Sequence, residues 1–281
     1  MNFEGLVKNT YPINVVRPYE TVRDTRIQVP NTPDKVSLNG TLDKYLDRNT
    51  LLAISYSNPE IAKMLAEKGV PLNFNIENFK KNVYNHSIDT KNTAIGIYNN
   101  LPSTTKNMAN VKDISDGALL HDLGKVLIPE NILSKRNKLS PKELDIMQMH
   151  SNLSYELLKN QGFNNNVLNI IKYHHQNPSH TGYPLMPESQ AMDINTQIVS
   201  LADKYSALRE KRSYKPQINQ QDALNILYKE MNQGVSPDVY NALTNYVNSS
   251  NNNTKNTSTL TNYLDSKNIA PQINRNATFY A

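Results

Sequence analysis

His121-Asp122, His150, the adjacent pair His174-His175 and Asp203 place in one chain the side chains that bind divalent metals, neutral imidazoles and carboxylates. With His86 upstream, five of the six histidines belong to this pattern, the sixth being His180. One histidine says little, because an imidazole on an apolar face is more often a hydrogen-bonded core residue than a ligand. The conjunction carries the weight. Adjacent helical residues point about 100° apart, so His174 and His175 can serve one ion only near a helix end or where the ion sits between their directions, and the Gln-Asn-Pro that follows supplies a helix end. His121-Asp122 also closes a predicted helix, and the two oxygens of Asp122 can bridge two ions, as a two-metal centre requires. Lys125 lies one turn further if that helix continues, a point charge suited to a phosphate, although a solvated surface lysine is the ordinary reading of any single lysine.

Helices must position these groups, since strand signals are missing almost throughout. A first helix is legible from Asn58, which can cap, through Pro59, Ile61, Met64 and Leu65 to Gly69. NPEIAKMLAEKGVPLN looks like the second helix of an ankyrin repeat, but no second copy occurs and one unit cannot bury its own face. Residues 41–76 are therefore expected to form a small helical lead-in. Further helices are predicted over about 78–100, carrying His86, Ala94, Ile97 and Leu101, and over about 113–123. Ser140-Pro141-Lys142-Glu143 is a capping box that opens a helix with the inward stripe Leu144, Met147, His150, Ser154 and Leu157, closed by Gly162. The next helix, about 165–176, aligns Leu168, Ile171 and His174; another, about 194–211, aligns Val199, Asp203 and Ala207. Two more follow Asn219 and Ser236-Pro237.

His150 and Asp203 thus stand where the helical period calls for apolar side chains, and an unpaired buried carboxylate is costly. A cationic group should meet Asp203. A hydrogen-bonded network, with Asp203 on a histidine and His150 on a backbone carbonyl, is the alternative to a metal site.

The 281 residues suffice for one or two domains, yet only 38% are hydrophobic and mean hydropathy is -0.62, so part of the chain should be unpacked. Residues 1–40 lack periodicity and are expected to form an extended or disordered arm; 249–281, an Asn/Ser/Thr-rich tract, is expected to be a disordered tail. Cysteine is absent, which rules out thiolate ligands and disulfides and favours a reducing cytoplasm. No run is long enough for a membrane span and no signal peptide is legible, so a cytoplasmic protein without a membrane partner is expected. The net charge of +5 is spread without a basic stripe, which points to a small phosphorylated ligand rather than stable nucleic-acid binding. Oligomeric state is left open.

HDLGKVLIPENIL, MQMH, YHHQNPSHTGYP and LADKYSALREKRSYK resemble, in order, the motifs of the HD-GYP branch of the HD phosphohydrolases. His150, His174 and Asp203 follow His121 by 29, 53 and 82 residues, intervals similar to those of the family. The resemblance covers about residues 80–216, within an HD-GYP-like domain bounded at 77–248, and implies an all-α fold: an HD-domain helical bundle with a small N-terminal lead-in and flexible termini. It further implies two divalent metal ions, iron or manganese, one held by His86, His121, Asp122 and Asp203, the other by Asp122, His150, His174 and His175. Asp122 and Lys125 would be catalytic; Lys125, Tyr183, Arg212 and Lys215 align with substrate-contacting positions. The chain departs from the family at several places. Asn82 replaces a glutamate that adds a third metal in some members, and Gln176 and Ser179-His180 replace the family's Glu and Asp-Gly before the GYP turn. Ser206 replaces an Asp.

The implied activity is hydrolysis of a cyclic dinucleotide such as cyclic di-GMP by a metal-bridging hydroxide. Rival expectations are an HD phosphohydrolase acting on another nucleotide or a phosphomonoester, a degenerate nucleotide-binding signalling module, and a di-iron oxygenase. Lys125, Arg212 and Lys215 argue for a phosphate ligand over oxygen chemistry.

Overall fold

The computed structural model describes residues 40–210 and 217–257, and among these every regular element is helical. Three short helices lead in: α1 (Gly40–Tyr45), α2 (Arg48–Ser57) and α3 (Pro59–Glu67). α3 begins as its sequence predicts, with the Asn58 side chain accepting from the Glu60 N–H and Pro59 in the first turn. It is released at Gly69, whose φ of 68° favours glycine. The predicted helix over 78–100 is instead two, α4 (Ile76–Asn82) and α5 (Tyr84–Asn99), joined at the buried Val83.

After α6 (Ser103–Lys106) comes α7 (Val111–Leu120), then a 3-10 turn, Leu123–Leu127, and α8 (Glu130–Leu133). α9 (Pro141–Leu158) opens with the complete capping box: Ser140 Oγ accepts from the Glu143 N–H and Glu143 accepts from the Ser140 N–H. Its buried positions are Ile146, Met149, His150, Ser151, Leu153, Ser154, Leu157 and Leu158; of the predicted stripe, His150, Ser154 and Leu157 are buried but Leu144 and Met147 only partly so, and the inward face is rotated from the predicted one. α10 (Asn165–Tyr173), α11 (Ile194–Arg209), α12 (Gln220–Leu227), a 3-10 turn (Tyr228–Gln233) and α13 (Pro237–Thr257) complete the order. α13 continues to Thr257, so the first part of the tract expected to be disordered is helical; 1–39 and 258–281 lie outside the described residues. Ala207, placed on the inward face of α11, is only partly buried, whereas Val199, Ala202, Asp203 and Ser206 are buried.

Two apolar clusters pack the helices that carry the candidate metal ligands. The first gathers the lead-in helices with α4, the Leu123–Leu127 turn, α9 and α10. The second joins α5, α7, α11, α12 and α13. α7 and α10 feed both: Leu119, Leu120, Leu168 and Ile171 face the first cluster, Ile114, Ala118 and Ile170 the second. Each fully buried aliphatic side chain contributes roughly 1.5–3 kcal/mol, and the packing locks in place the helix ends that carry the histidines. No helix among the described residues is long and apolar enough to cross a membrane.

Candidate metal centre

Five helices deliver the polar residues to one buried place. His86 comes from α5, His121 and Asp122 from the end of α7, His150 from α9, His174 and His175 from the end of α10, and Asp203 from α11. All seven are buried. α10 stops at Tyr173, so the two adjacent histidines occupy a helix end. Gly124 lets the chain after Asp122 lie on α9: a Cβ there would come 2.2 Å from the His150 carbonyl oxygen and 2.6 Å from the Ser154 nitrogen. The Gly124 N–H donates to Ser154 Oγ at 2.7 Å, and Ser154 donates in turn to the His150 carbonyl.

The donor atoms fall into two sets, Asp122 with His150, His174 and His175, and His86 with His121 and Asp203, each set lying within 4.8 Å. Asp122 links them. Its Oδ2 lies 3.3 Å from His121 Nε2 and 3.9 Å from His86 Nε2, whereas Oδ1 lies 3.3 Å from His150 Nε2 and 4.0 Å from His174 Nε2. Asp203 meets His86 Nε2 at 2.8 Å and His121 Nε2 at 3.6 Å.

Both contacts of the alternative hydrogen-bonded network are present: Asp203 meets a histidine, and His150 Nδ1 lies 2.7 Å from the Met147 carbonyl. They do not satisfy the site. His121 Nε2, Asp122 Oδ1, Asp203 Oδ2 and His86 Nδ1 are buried without a hydrogen-bond partner, a large cost for a protein interior. His121, His150 and His174 each direct Nδ1 at the carbonyl three residues back, those of Ala118, Met147 and Ile171. With the proton on Nδ1, neutral His150 and His174 turn their Nε2 lone pairs toward the side of Asp122 Oδ1, 3.3 and 4.0 Å away.

Electrostatics agree. Burial, aided by the Lys125 charge, pushes His150 down to about 4. Burial and neighbouring histidines hold His174 and His175 well below the usual imidazole range. Burial opposes ionisation of Asp122, but His121 and Lys125 hold it well below the usual carboxylate range; His121 and His86 do the same for Asp203 against its burial. His121 is the exception: burial lowers it, yet Asp122 and Asp203 outweigh this and push it up to about 10. Neutral imidazole lone pairs and ionised carboxylates are the donor set of a first-row divalent cation, and the residues fit such a group.

Lys125 is buried, with Nζ 2.8 Å from Asp122 Oδ2. Its turn is 3-10 rather than a continuation of α7, and the ion pair replaces the solvated surface lysine. Tyr183 is stacked on His175, ring centroids 4.6 Å apart. Burial and the charges of Asp203 and Asp122 hold its phenol well above its usual range, so it stays protonated. Arg212 and Lys215 lie outside the described residues. Asn82 bonds to Asn78 and Ser134. Ser206 faces Thr93, 3.4 Å away. His180 has φ 57°, a left-handed conformation that favours glycine. Gly124 and Gln176 were not singled out as site residues by spacing; the glycine within HDLGK and the polar residue after His174-His175 were the available signals.

A family model described as an HD domain matches residues 80–239. Among curated proteins, the cyclic di-GMP phosphodiesterase response regulator RpfG of Xanthomonas campestris is 34% identical over 137 residues, 47% of this chain and 36% of that protein. The 3'3'-cGAMP-specific phosphodiesterase 2 of Vibrio cholerae is 36% identical over 106 residues, 36% of this chain and 20% of that protein. The chain spans about a third or less of the length of these relatives. Among solved structures, Bd1817, described as an HDG"Y"P protein from Bdellovibrio bacteriovorus, shares the fold with a TM-score of 0.51 at 16% identity, covering 75% of this chain and 69% of that one.

Proposed function

The chain belongs to the HD domain family, and from that premise we propose that it is a metal-dependent phosphodiesterase that opens a cyclic dinucleotide. The observation that carries this reading is the division of Asp122: one carboxylate oxygen faces His121 and His86, the other His150 and His174. One carboxylate shared by two buried donor sets is the arrangement that a binuclear centre needs. The proposed ligands are His86, His121, Asp122 and Asp203 for one ion, and Asp122, His150, His174 and His175 for the other. Iron or manganese suits this all-nitrogen-and-oxygen set. Two such ions, when bound, supply Lewis-acid polarisation of a phosphoryl oxygen and a hydroxide at neutral pH.

The chain's own residues do the rest. The buried Lys125 ammonium stands beside Asp122, where negative charge develops on a phosphoryl group during in-line displacement. The Nδ1 contacts of His121, His150 and His174 keep those rings in one tautomer without reorganisation. Tyr183 covers one face of the His175 ring. Residues 77–248 form the proposed catalytic domain and 41–76 its helical lead-in. The relatives named for cyclic di-GMP and 3'3'-cGAMP support a cyclic dinucleotide substrate, and Tyr183 with Arg212 and Lys215 are its proposed contacts.

Metal analysis of the purified protein, combined with hydrolysis of a nucleotide panel by wild type and Asp122→Ala, tests the reading. Bound metal with turnover that Asp122→Ala abolishes is the expected result. Bound metal without turnover of any phosphoester would sink the hydrolase assignment. Metal-free protein that binds a nucleotide would favour a signalling module.

A further inference from the structure

His175 lacks the device that orients three of its neighbours. His121, His150 and His174 each place Nδ1 against the carbonyl three residues back. His175 instead has Nε2 3.0 Å from His150 Nε2 and Nδ1 3.8 Å from Asp203 Oδ2. What lies flat on its ring is Tyr183, at 4.6 Å and an interplanar angle of 28°.

Tyr183 is itself held by a short, dense set of bonds. Its N–H donates to the His175 carbonyl at 3.2 Å. Gly182 permits that approach, since a Cβ there would sit 2.1 Å from the same carbonyl oxygen. The fully buried Gln176 side chain closes the loop. Its Oε1 accepts from Gly182 N–H at 3.0 Å and from Asn177 N–H at 3.2 Å, while its Nε2 donates to the Pro184 carbonyl at 2.8 Å. Both ends of the amide are used, one on each side of Tyr183. A glutamate here could accept from Gly182 but could not donate to Pro184.

We propose that Gln176 is a positioning residue that, by clamping Gly182 and Pro184, presses Tyr183 onto His175 and so fixes the plane of that ring for metal binding. The inference rests on the metal-centre reading above. Groups that orient a metal ligand typically change metal affinity 10–100-fold when removed.

The test is a double-mutant cycle read on metal release rather than on turnover. Wild type, Gln176→Met, Tyr183→Ala and the double variant are loaded with Mn²⁺, and loss of the ion into excess chelator is followed, with thermal melts confirming the fold. Each single change is expected to speed release about tenfold, and the double variant to match the faster single. Gln176→Glu, which keeps the acceptor and loses the donor, should fall between wild type and Gln176→Met; it takes the place of Gln176→Met in the cycle if the latter does not fold. Wild-type release rates in either single variant, or multiplied effects in the double, would overturn the clamp while leaving the metal centre intact. Wild type that takes up no metal would overturn the metal centre itself, and the clamp with it.

Discussion

His150 and His174 bring their Nε2 atoms to 3.3 Å of each other while both Nδ1 atoms lie against backbone carbonyls. Two neutral imidazoles held in this way face each other lone pair to lone pair, and only a cation between or beside them makes the arrangement favourable. The first prediction follows from this. His150→Ala should remove one ion's worth of metal while the protein stays folded, because the side chain is placed to bind rather than to pack. Metal content and a circular-dichroism melt measure both; global unfolding would identify His150 as a structural core residue.

Lys125 pairs with Asp122 Oδ2 at 2.8 Å in a buried setting. Lys125→Met should therefore lower kcat on a phosphodiester about 10²-fold with metal content retained. Steady-state kinetics beside metal analysis decides the point, and an unchanged kcat would remove Lys125 from the chemistry.

In the metal-free protein, His121 carries its proton up to about 10, against an ordinary 6.5. A raised folded-state pKa contributes stability that is fully present below 6.5 and is lost as pH rises through about 10. Metal-free protein should accordingly melt at lower temperature as pH is raised across that window. At pH 8, binding of metal should release about one proton from His121. Calorimetric titration in buffers of different ionisation enthalpy measures that number, and no buffer dependence would contradict the assignment.

Gly124→Ala drives a methyl group into the backbone of α9 at His150 and Ser154, where no flexible side chain can yield. The expected cost is at least about 1–3 kcal/mol, together with loss of metal, since the Asp122 segment must lift from His150. Urea denaturation gives the first quantity and metal analysis the second.

Ser140→Ala removes half of the capping box of α9 and should cost about 1 kcal/mol. The site lies more than two turns away along the helix, so metal content should not change. Thermal melts and metal analysis together separate this effect from those above.

Much of the fold was legible locally. The Asn58 cap with Pro59 and the Ser140 capping box mark the starts of α3 and α9 because capping is a contest between one side chain and a few backbone N–H groups, decided within four residues. The turn at Val83 was not legible, because residues on both sides of it keep the helical period and the buried valine follows from packing. The inward stripe of α9 is legible at His150, Ser154 and Leu157, which are buried, but not at Leu144 and Met147, which lie on a face that periodicity allows but that the neighbouring helices leave partly open.

By itself the sequence determined which residue types had to be buried together. His150, His174 and Asp203 interrupt apolar faces, and burial of such groups demands a compensating partner wherever the helices go. Periodicity did not say how the set divides; the family resemblance implies the division, and the packing of the helices produces it. Helical periodicity specifies a direction around each axis, whereas the distance from Asp122 to His150 or His121 depends on how α7, α9 and α10 cross, which residues far apart in the chain settle by packing. That packing turned Asp122 into the shared carboxylate, drew Lys125 into an ion pair, and left His175 to be oriented by Tyr183 and Gln176 rather than by its own helix.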